Sequence, residues 1–243
     1  VRHCAQSSNS VNKGRPSWFT KERALCNLLS TKDHNTHVTI LLDTASTPDA
    51  SSYFAYNYDV KVVEAHGGTD AHSFINLINY VCNQGLPDDS IIYLLEDDYI
   101  HKQGWTDVLR EAFDAKIAPY VTLYDHPDKY FMPLYKNLVS KLFVTPSCHW
   151  RTTPSTTNTY ASLFSTLKHN KDIHLRFSDT KVGFTFDHQK FVYLAEKGQI
   201  LVSSVPGFST HVENGLLSPI EGWHKYMNAN GAPRLKEGGM IGL

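Results

Sequence analysis

Three consecutive carboxylates, Glu96-Asp97-Asp98, follow directly on the apolar run Ile91-Ile92-Tyr93-Leu94-Leu95. Like charges at such close range repel unless water, a cation or a hydrogen-bond donor offsets them. Hard carboxylate oxygens suit Mg²⁺ or Mn²⁺, and an ion held by one or two protein ligands keeps positions open for a diphosphate. The plain alternative is a solvated turn. A second group comes late in the chain: Asp187 opens the run DHQKFVYLAEK, Gly198 closes it, and His211 follows the apolar segment ILVSSV. Glu213 is placed to orient the His211 imidazole. The alternatives are a helix N-cap for Asp187 and an ordinary loop histidine for His211.

The segment SCHWRTTPSTTNTYAS crowds Trp, His, Arg and Thr together with almost no aliphatic residue. An indole face ringed by hydroxyl and guanidinium groups suits the apolar faces and hydroxyl rims of sugars, which makes Trp150, Arg151, Thr153 and Ser155 candidates for a sugar or acceptor site. The competing reading is a tryptophan that anchors the core beside a Thr-rich helix start. Asp125 and His126, in YDHPDKY, follow a strand-like run and are expected to line the same cleft.

The elements that must position these groups are legible as periodicity. Helical spacing is expected over Lys21–Leu29, Ser73–Val81, Thr106–Phe113, from the Thr-rich segment through Leu167, and from Asp187 to Lys197; strands are expected at Val38–Leu42, Val60–Val63, Ile91–Leu95, Tyr120–Tyr124, Leu142–Thr145 and Ile200–Val205. Alternating strands and helices with continuous apolar runs predict an α/β fold, a mixed and mainly parallel sheet with helices on both faces. Ligands of such sheets bind beyond the carboxyl ends of the strands, where Asp43, His66-Gly67 and Glu96-Asp97-Asp98 lie. The chain has 243 residues and a net charge of −1, which argues against non-specific polyanion binding and predicts a single domain. The predicted organisation is a first half over about 1–100, a second over about 101–224, and a Gly-rich tail or linker over 225–243.

The order of these segments resembles a GT-A-fold, Rossmann-like, nucleotide-sugar-dependent glycosyltransferase of the inverting type, in which an apolar strand ends in a DXD-type motif, here Glu96-Asp97-Asp98. The resemblance implies that Asp98 ligates a Mn²⁺ or Mg²⁺ ion bridging two phosphates, while Glu96 and Asp97 face the donor. In DHQKFVYLAEKGQILVSSVPGFSTH it implies that Asp187 is the catalytic base and His211 a second metal ligand; Asp179 and then Asp125 are the alternative bases. Asp43 resembles the family's acidic residue at the base or ribose, with a turn-forming Asp as the other reading. Gly67 and Gly68 would allow close approach of the following helix N-terminus to phosphate, and Arg15 and Lys21 would neutralise the diphosphate.

The expected reaction is a single displacement. Asp187 takes a proton from a glycan hydroxyl attacking the anomeric carbon of the donor, a UDP-sugar by base rate, and the nucleoside diphosphate leaves. Two rivals remain: a metal-dependent phosphoesterase or nucleotidyltransferase, and a non-catalytic carbohydrate-binding module. The first would hold a second close metal; the second would bind glycan without metal or nucleotide. The expected partners are the donor, a glycan or glycoconjugate acceptor, and neighbouring domains of a longer chain, with no nucleic acid and no membrane span. Four scattered Cys without CxxC spacing predict reduced, buried thiols and a cytoplasmic setting.

Overall fold

The computed structural model describes residues 1–5, 13–46, 49, 53–220 and 222–227. Helix α1 (Lys21–Thr31) starts where the Thr20 side chain accepts the Arg23 N–H, and it buries Ala24, Leu25 and Leu28. Helix α2 (Asp70–Cys82) is capped by Thr69, carries Asp70 in its first turn, and turns Ala71, Phe74, Leu77 and Ile78 inward. Helix α3 (Trp105–Asp114) buries Trp105, Val108, Leu109 and Ala112. Four further helices follow: α4 (Asp128–Phe131), α5 (Phe164–His169), α6 (Lys171–Arg176) and α7 (Asp187–Glu196).

Strands β1 (Arg2–His3), β2 (Thr39–Asp43) and β3 (Lys61–Ala65) form an all-parallel sheet in the order β1-β2-β3. A mixed sheet runs β4 (Ile91–Leu94), β9 (Tyr160–Leu163), β6 (Tyr120–Thr122), β12 (Leu201–Val205), β8 (His149–Thr152), β7 (Leu142–Val144). The two sheets meet where Arg2 bridges Glu96 in parallel and the Arg2 N–H donates to the Leu95 carbonyl at 2.8 Å. Strands β5 (Tyr99–His101) and β13 (Ser209–His211) pair antiparallel, as do β10 (Ser178–Asp179) and β11 (Phe184–Thr185).

Alternation along the central strands divides the core between two faces. Val121, Ala161 and Val202 join Trp105, Val108 and Leu109 on one face, whereas Tyr120, Tyr160 and Leu201 join Phe74, Leu77, Leu167, Phe191 and Leu194 on the other. Helices therefore cover both faces, as the apolar runs predicted. The expectation of a mainly parallel sheet holds for β1–β3 and fails in the mixed sheet, where β6 and β12 are the parallel pair and the other pairings are antiparallel.

The Thr-rich segment is also corrected. It is not the start of a long helix but strand β8, a polar loop and strand β9, with helix confined to α5. Hydroxyls in this loop bond locally, as when Thr156 donates to the Thr159 carbonyl at 2.8 Å, and such bonds compete with helix formation. Residues 228–243 of the predicted tail lie outside the described residues. Just before them, Trp223–Met227 packs on the body, with Trp223 buried beside Ala24, Ile100 and Val212. All four cysteines are free, but Cys148 alone is fully buried, whereas Cys4, Cys26 and Cys82 are half-buried.

Candidate functional site

Strand register builds the centre of the site. Antiparallel pairing places His211 opposite Tyr99, and the Val212 N–H donates to the Asp98 carbonyl at 2.8 Å. Asp98 and His211, far apart in the chain, thus meet with Nε2 2.9 Å from Oδ2, both side chains buried. The same carboxylate oxygen receives Arg15 at 2.6 Å and Lys13 at 3.2 Å, and the Lys13 ammonium is also 3.3 Å from His211 Nε2. Arg15 is fixed from behind by a bond to the Val212 carbonyl. Burial opposes the charged form of Asp98, yet His211, Lys13 and Arg15 hold its carboxyl well below the ordinary value. Asp98 Oδ1 and His211 Nδ1 are buried without a hydrogen-bond partner, and Glu213 Oε2 stands 3.7 Å from that Nδ1.

The other two carboxylates face strand β1. Asp97 accepts from His3 at 2.6 Å, Lys21 at 2.8 Å and the Cys4 N–H at 3.1 Å; burial alone would raise its pKa, but His3 and Lys21 bring it down to about 2. Glu96 lies 2.5 Å from Arg2, which also reaches Asp70 at 2.6 Å. Burial, with the charges of Asp70 and Asp98, pushes Glu96 up to about 7 in spite of Arg2. A small cavity opens beside Asp97 and Glu96, lined also by His3, Lys21 and Tyr99.

Asp187 connects to this centre through the 156–158 loop. Its Oδ2 accepts the N–H groups of Thr156 (2.6 Å) and Thr157 (3.0 Å), and its Oδ1 accepts that of Asn158 (3.1 Å) with Lys190 Nζ at 3.3 Å. Thr157 and Asn158 have positive φ angles of 49° and 56°, so the carboxylate fixes a turn that these residues adopt reluctantly. Thr157 Oγ1 in turn lies 2.5 Å from the hydroxyl of Tyr99, the neighbour of Asp98. Asp179 instead organises its own turn, accepting the Lys181 and Val182 N–H groups.

Several predicted residues have other duties. Asp43 accepts the Gly67 N–H at 3.0 Å and the Gly68 N–H at 2.9 Å, so these amides face a carboxylate and are not free for a phosphate. A Cβ at Gly67 would stand 2.7 Å from Asp43 Oδ2 and 3.0 Å from the Ser73 backbone, which is why this tight approach takes glycine. Trp150 is corrected outright: it is fully buried, with Nε1 donating to Thr145 at 3.0 Å, and its indole belongs to the core and cannot meet a sugar.

Around it a polar cluster does form. Arg151 pairs with Asp125 at 2.6 Å and covers the Tyr130 ring, while buried Lys129 donates to Asp128 and Ser155. His126 Nδ1 accepts the Asp128 N–H, and burial, with the charge of Lys129, brings its pKa down to about 3. Thr153 is buried against the Ser155 carbonyl.

Arg2, His3, Lys13 and Asp70 are site residues that sequence reasoning missed. Strand β1 is two residues long and has no periodicity to detect. The available signal for Lys13 was its spacing of two from Arg15 in Lys13-Gly14-Arg15.

A carboxylate and an imidazole are ligand types that a divalent cation takes, and buried Asp98 Oδ1 and His211 Nδ1 have no hydrogen-bond partner, so this pair would hold an ion by giving up its present bond. Among the described residues no group of three His, Cys, Asp or Glu is placed to hold a metal ion, so Asp98 and His211 would be the protein's whole share. Among the described residues, too, no helix is long and apolar enough to cross a membrane. Comparison with known proteins finds no family model and no curated protein that matches this chain.

Proposed function

We propose that the chain is a metal-dependent glycosyltransferase of GT-A-like fold that moves a sugar from a nucleotide-sugar donor, a UDP-sugar by preference, to a glycan hydroxyl with inversion, in a cytoplasmic setting. The observation that carries this reading is the convergence of Asp98 and His211 with Lys13 and Arg15 at the end of an apolar strand. An anionic side chain and an imidazole suit a Mn²⁺ or Mg²⁺ ion, and the two cations suit a diphosphate. When bound, the ion would supply charge stabilisation to the departing diphosphate.

Lys13 and Arg15 neutralise phosphate oxygens and orient the leaving group, while Asp97 holds Lys21 at the side of the cavity. Charge that develops on the leaving group is met by donors already in place, which is where electrostatic catalysis acts. The proposed base is Asp187. Its lone-pair directions are engaged by three amides of the 156–158 loop and by Lys190, so taking a proton requires it to release one of these partners. Where a loop amide is the partner released, proton transfer is coupled to the 156–158 loop, which touches Tyr99 and through it the Asp98 strand end. Asp125, Arg151 and Ser155 would form the acceptor side.

The test is nucleoside diphosphate release from a panel of UDP-, GDP- and dTDP-sugars, with Mn²⁺ or with chelator, for the native chain and Asp98→Ala. Metal-dependent release from one donor, lost in the variant, supports the transferase. Phosphate-ester cleavage without sugar transfer would instead establish the phosphoesterase rival.

A further inference from the structure

The polar cluster at Asp125 and Ser155 carries a segment most of whose apolar side chains are exposed, with Tyr135 buried and Phe143 half-buried against the core. From Tyr130 to Val144 the exposed apolar residues are nearly continuous: Phe131 (63%), Leu134 (64%), Val139 (90%), Leu142 (66%) and Val144 (69%) are the most open, and Tyr130, Met132 and Leu138 accompany them. The exposed runs 130–134 and 136–139 leave consecutive positions open, so these stretches project, whereas in β7 Phe143 turns to the core and Leu142 and Val144 face out. Exposed apolar patches of this extent on a globular chain mark an interaction surface.

The loop is anchored at both ends. At its root the Lys129 ammonium is buried between Asp128, Ser155 and the face of Tyr135, Tyr130 donates to Asp125 at 2.8 Å, and buried Tyr135 meets Ser155 and His188. At its far end β7 is an edge strand, paired with β8 on one side, with Leu142 and Val144 facing outward. Solvent-facing edges are ordinarily blunted by charge or covered.

Charge decides what covers this one. The chain as a whole is nearly balanced, yet no Asp or Glu occurs between Lys129 and Lys171, and Lys136 and Lys141 are exposed among the apolar side chains. Protein interfaces of aromatic and aliphatic residues are depleted in lysine, whereas lysines interleaved with Phe, Tyr, Leu and Val suit an acyl boundary beneath anionic headgroups. Long lysine stems let the ammonium reach headgroup oxygens while the neighbours enter the apolar layer.

We infer that residues 130–144 are a docking surface for a membrane leaflet bearing anionic lipids, engaged peripherally and without a spanning segment. This inference stands apart from the transferase reading, although a leaflet-bound chain would meet a lipid-borne acceptor beside Asp125 and Arg151.

The experiment is co-sedimentation of the full chain with phosphatidylcholine vesicles and with vesicles containing phosphatidylglycerol, at low and high salt. The variants are the pair Phe131→Asp with Leu134→Asp and the pair Lys136→Glu with Lys141→Glu. Their side chains are exposed, and thermal unfolding checks that each variant folds. Binding to the anionic vesicles that salt weakens and that each pair lowers by roughly tenfold or more is expected. A chain that stays in the supernatant with both vesicle types, or variants that bind like the native chain, would overturn the inference. So would a native dimer that Phe131→Asp splits without any vesicle binding, since a second copy would then be the occupant. Metal-dependent nucleotide binding, measured on the same samples, reports on the transferase reading separately.

Discussion

The most consequential side chain that no motif announced is Lys13. Its ammonium stands 3.2 Å from Asp98 Oδ2 and 3.3 Å from His211 Nε2, the two atoms proposed to share a divalent ion. An ammonium there does part of an ion's electrostatic work and repels a second cation. Lys13→Met should therefore raise the affinity for Mn²⁺ alone by roughly tenfold, an interval equal to about 1.4 kcal/mol, while weakening nucleoside diphosphate binding. Mn²⁺ titration followed by electron paramagnetic resonance checks the first half and calorimetry the second. Unchanged Mn²⁺ affinity would mean that the ion, if bound, sits elsewhere. At this scale the acidic triplet was legible because charged residues after an apolar strand invite a cation, Arg15 and Lys21 as basic residues near the start of the fold, and His211 through the resemblance of its segment. Lys13 and His3 were not, because nothing local in the chain ties them to a triplet more than eighty positions away; strand β1 brings His3 there, and the bond from the Asn214 N–H to the Gly14 carbonyl holds the Lys13 segment beside His211.

Among the elements, helix α7 and the loop it caps bear on mechanism most directly. If Asp187 is only the loop's anchor, Asp187→Asn loses acceptor positions for main-chain N–H groups and should lower stability by about 1–3 kcal/mol while leaving transfer measurable. If it is also the base, transfer should fall by about a hundredfold or more with donor affinity retained. Measuring transfer, donor binding and thermal midpoint on the one variant separates the two, and the proposal requires the second outcome. Secondary structure was legible wherever a period ran for three turns or four strand residues, as in α1, α2, α3, α7, β2 and β12. It was misread over 149–163, where alternating Trp, Thr and Tyr residues flank a Pro-containing loop and form β8 and β9. The fate of Trp150 follows from that error: placed on a central strand by its pairing with Ser204, it points into the core. The Gly67-Gly68 turn shows the reverse case, in which glycines were rightly singled out but serve Asp43.

For the whole molecule, buried histidines set the acid response. His101 and His126 are brought down to about 3 by burial, and His174, between the Tyr120 and Tyr160 hydroxyls at 3.0 Å each, is lowered well below its usual value. These groups stay neutral in the folded chain while the unfolded chain takes up protons near pH 6.5, so the unfolded state binds more protons and stability falls as pH drops below that value. Glu96, raised from 4.5 to about 7, acts in the opposite direction over its own window, because its neutral form is favoured in the folded state and its ionisation costs stability as pH rises. The lowered histidines outnumber Glu96 in this window, so a net loss of stability is expected on acidification from pH 6.5 to roughly 5. Denaturant unfolding at several pH values measures this, and a flat profile across that window would contradict it. The central proposal is that Asp98 and His211 with Lys13 and Arg15 would hold a divalent ion and a nucleoside diphosphate together. Calorimetric titration of UDP into the native chain, with Mn²⁺ and with chelator, tests it most directly beside Asp98→Asn. The account predicts binding that needs Mn²⁺ and weakens by about a hundredfold or more in the variant. Binding that ignores both chelator and substitution, or no binding of UDP, GDP or dTDP in any condition, would contradict it.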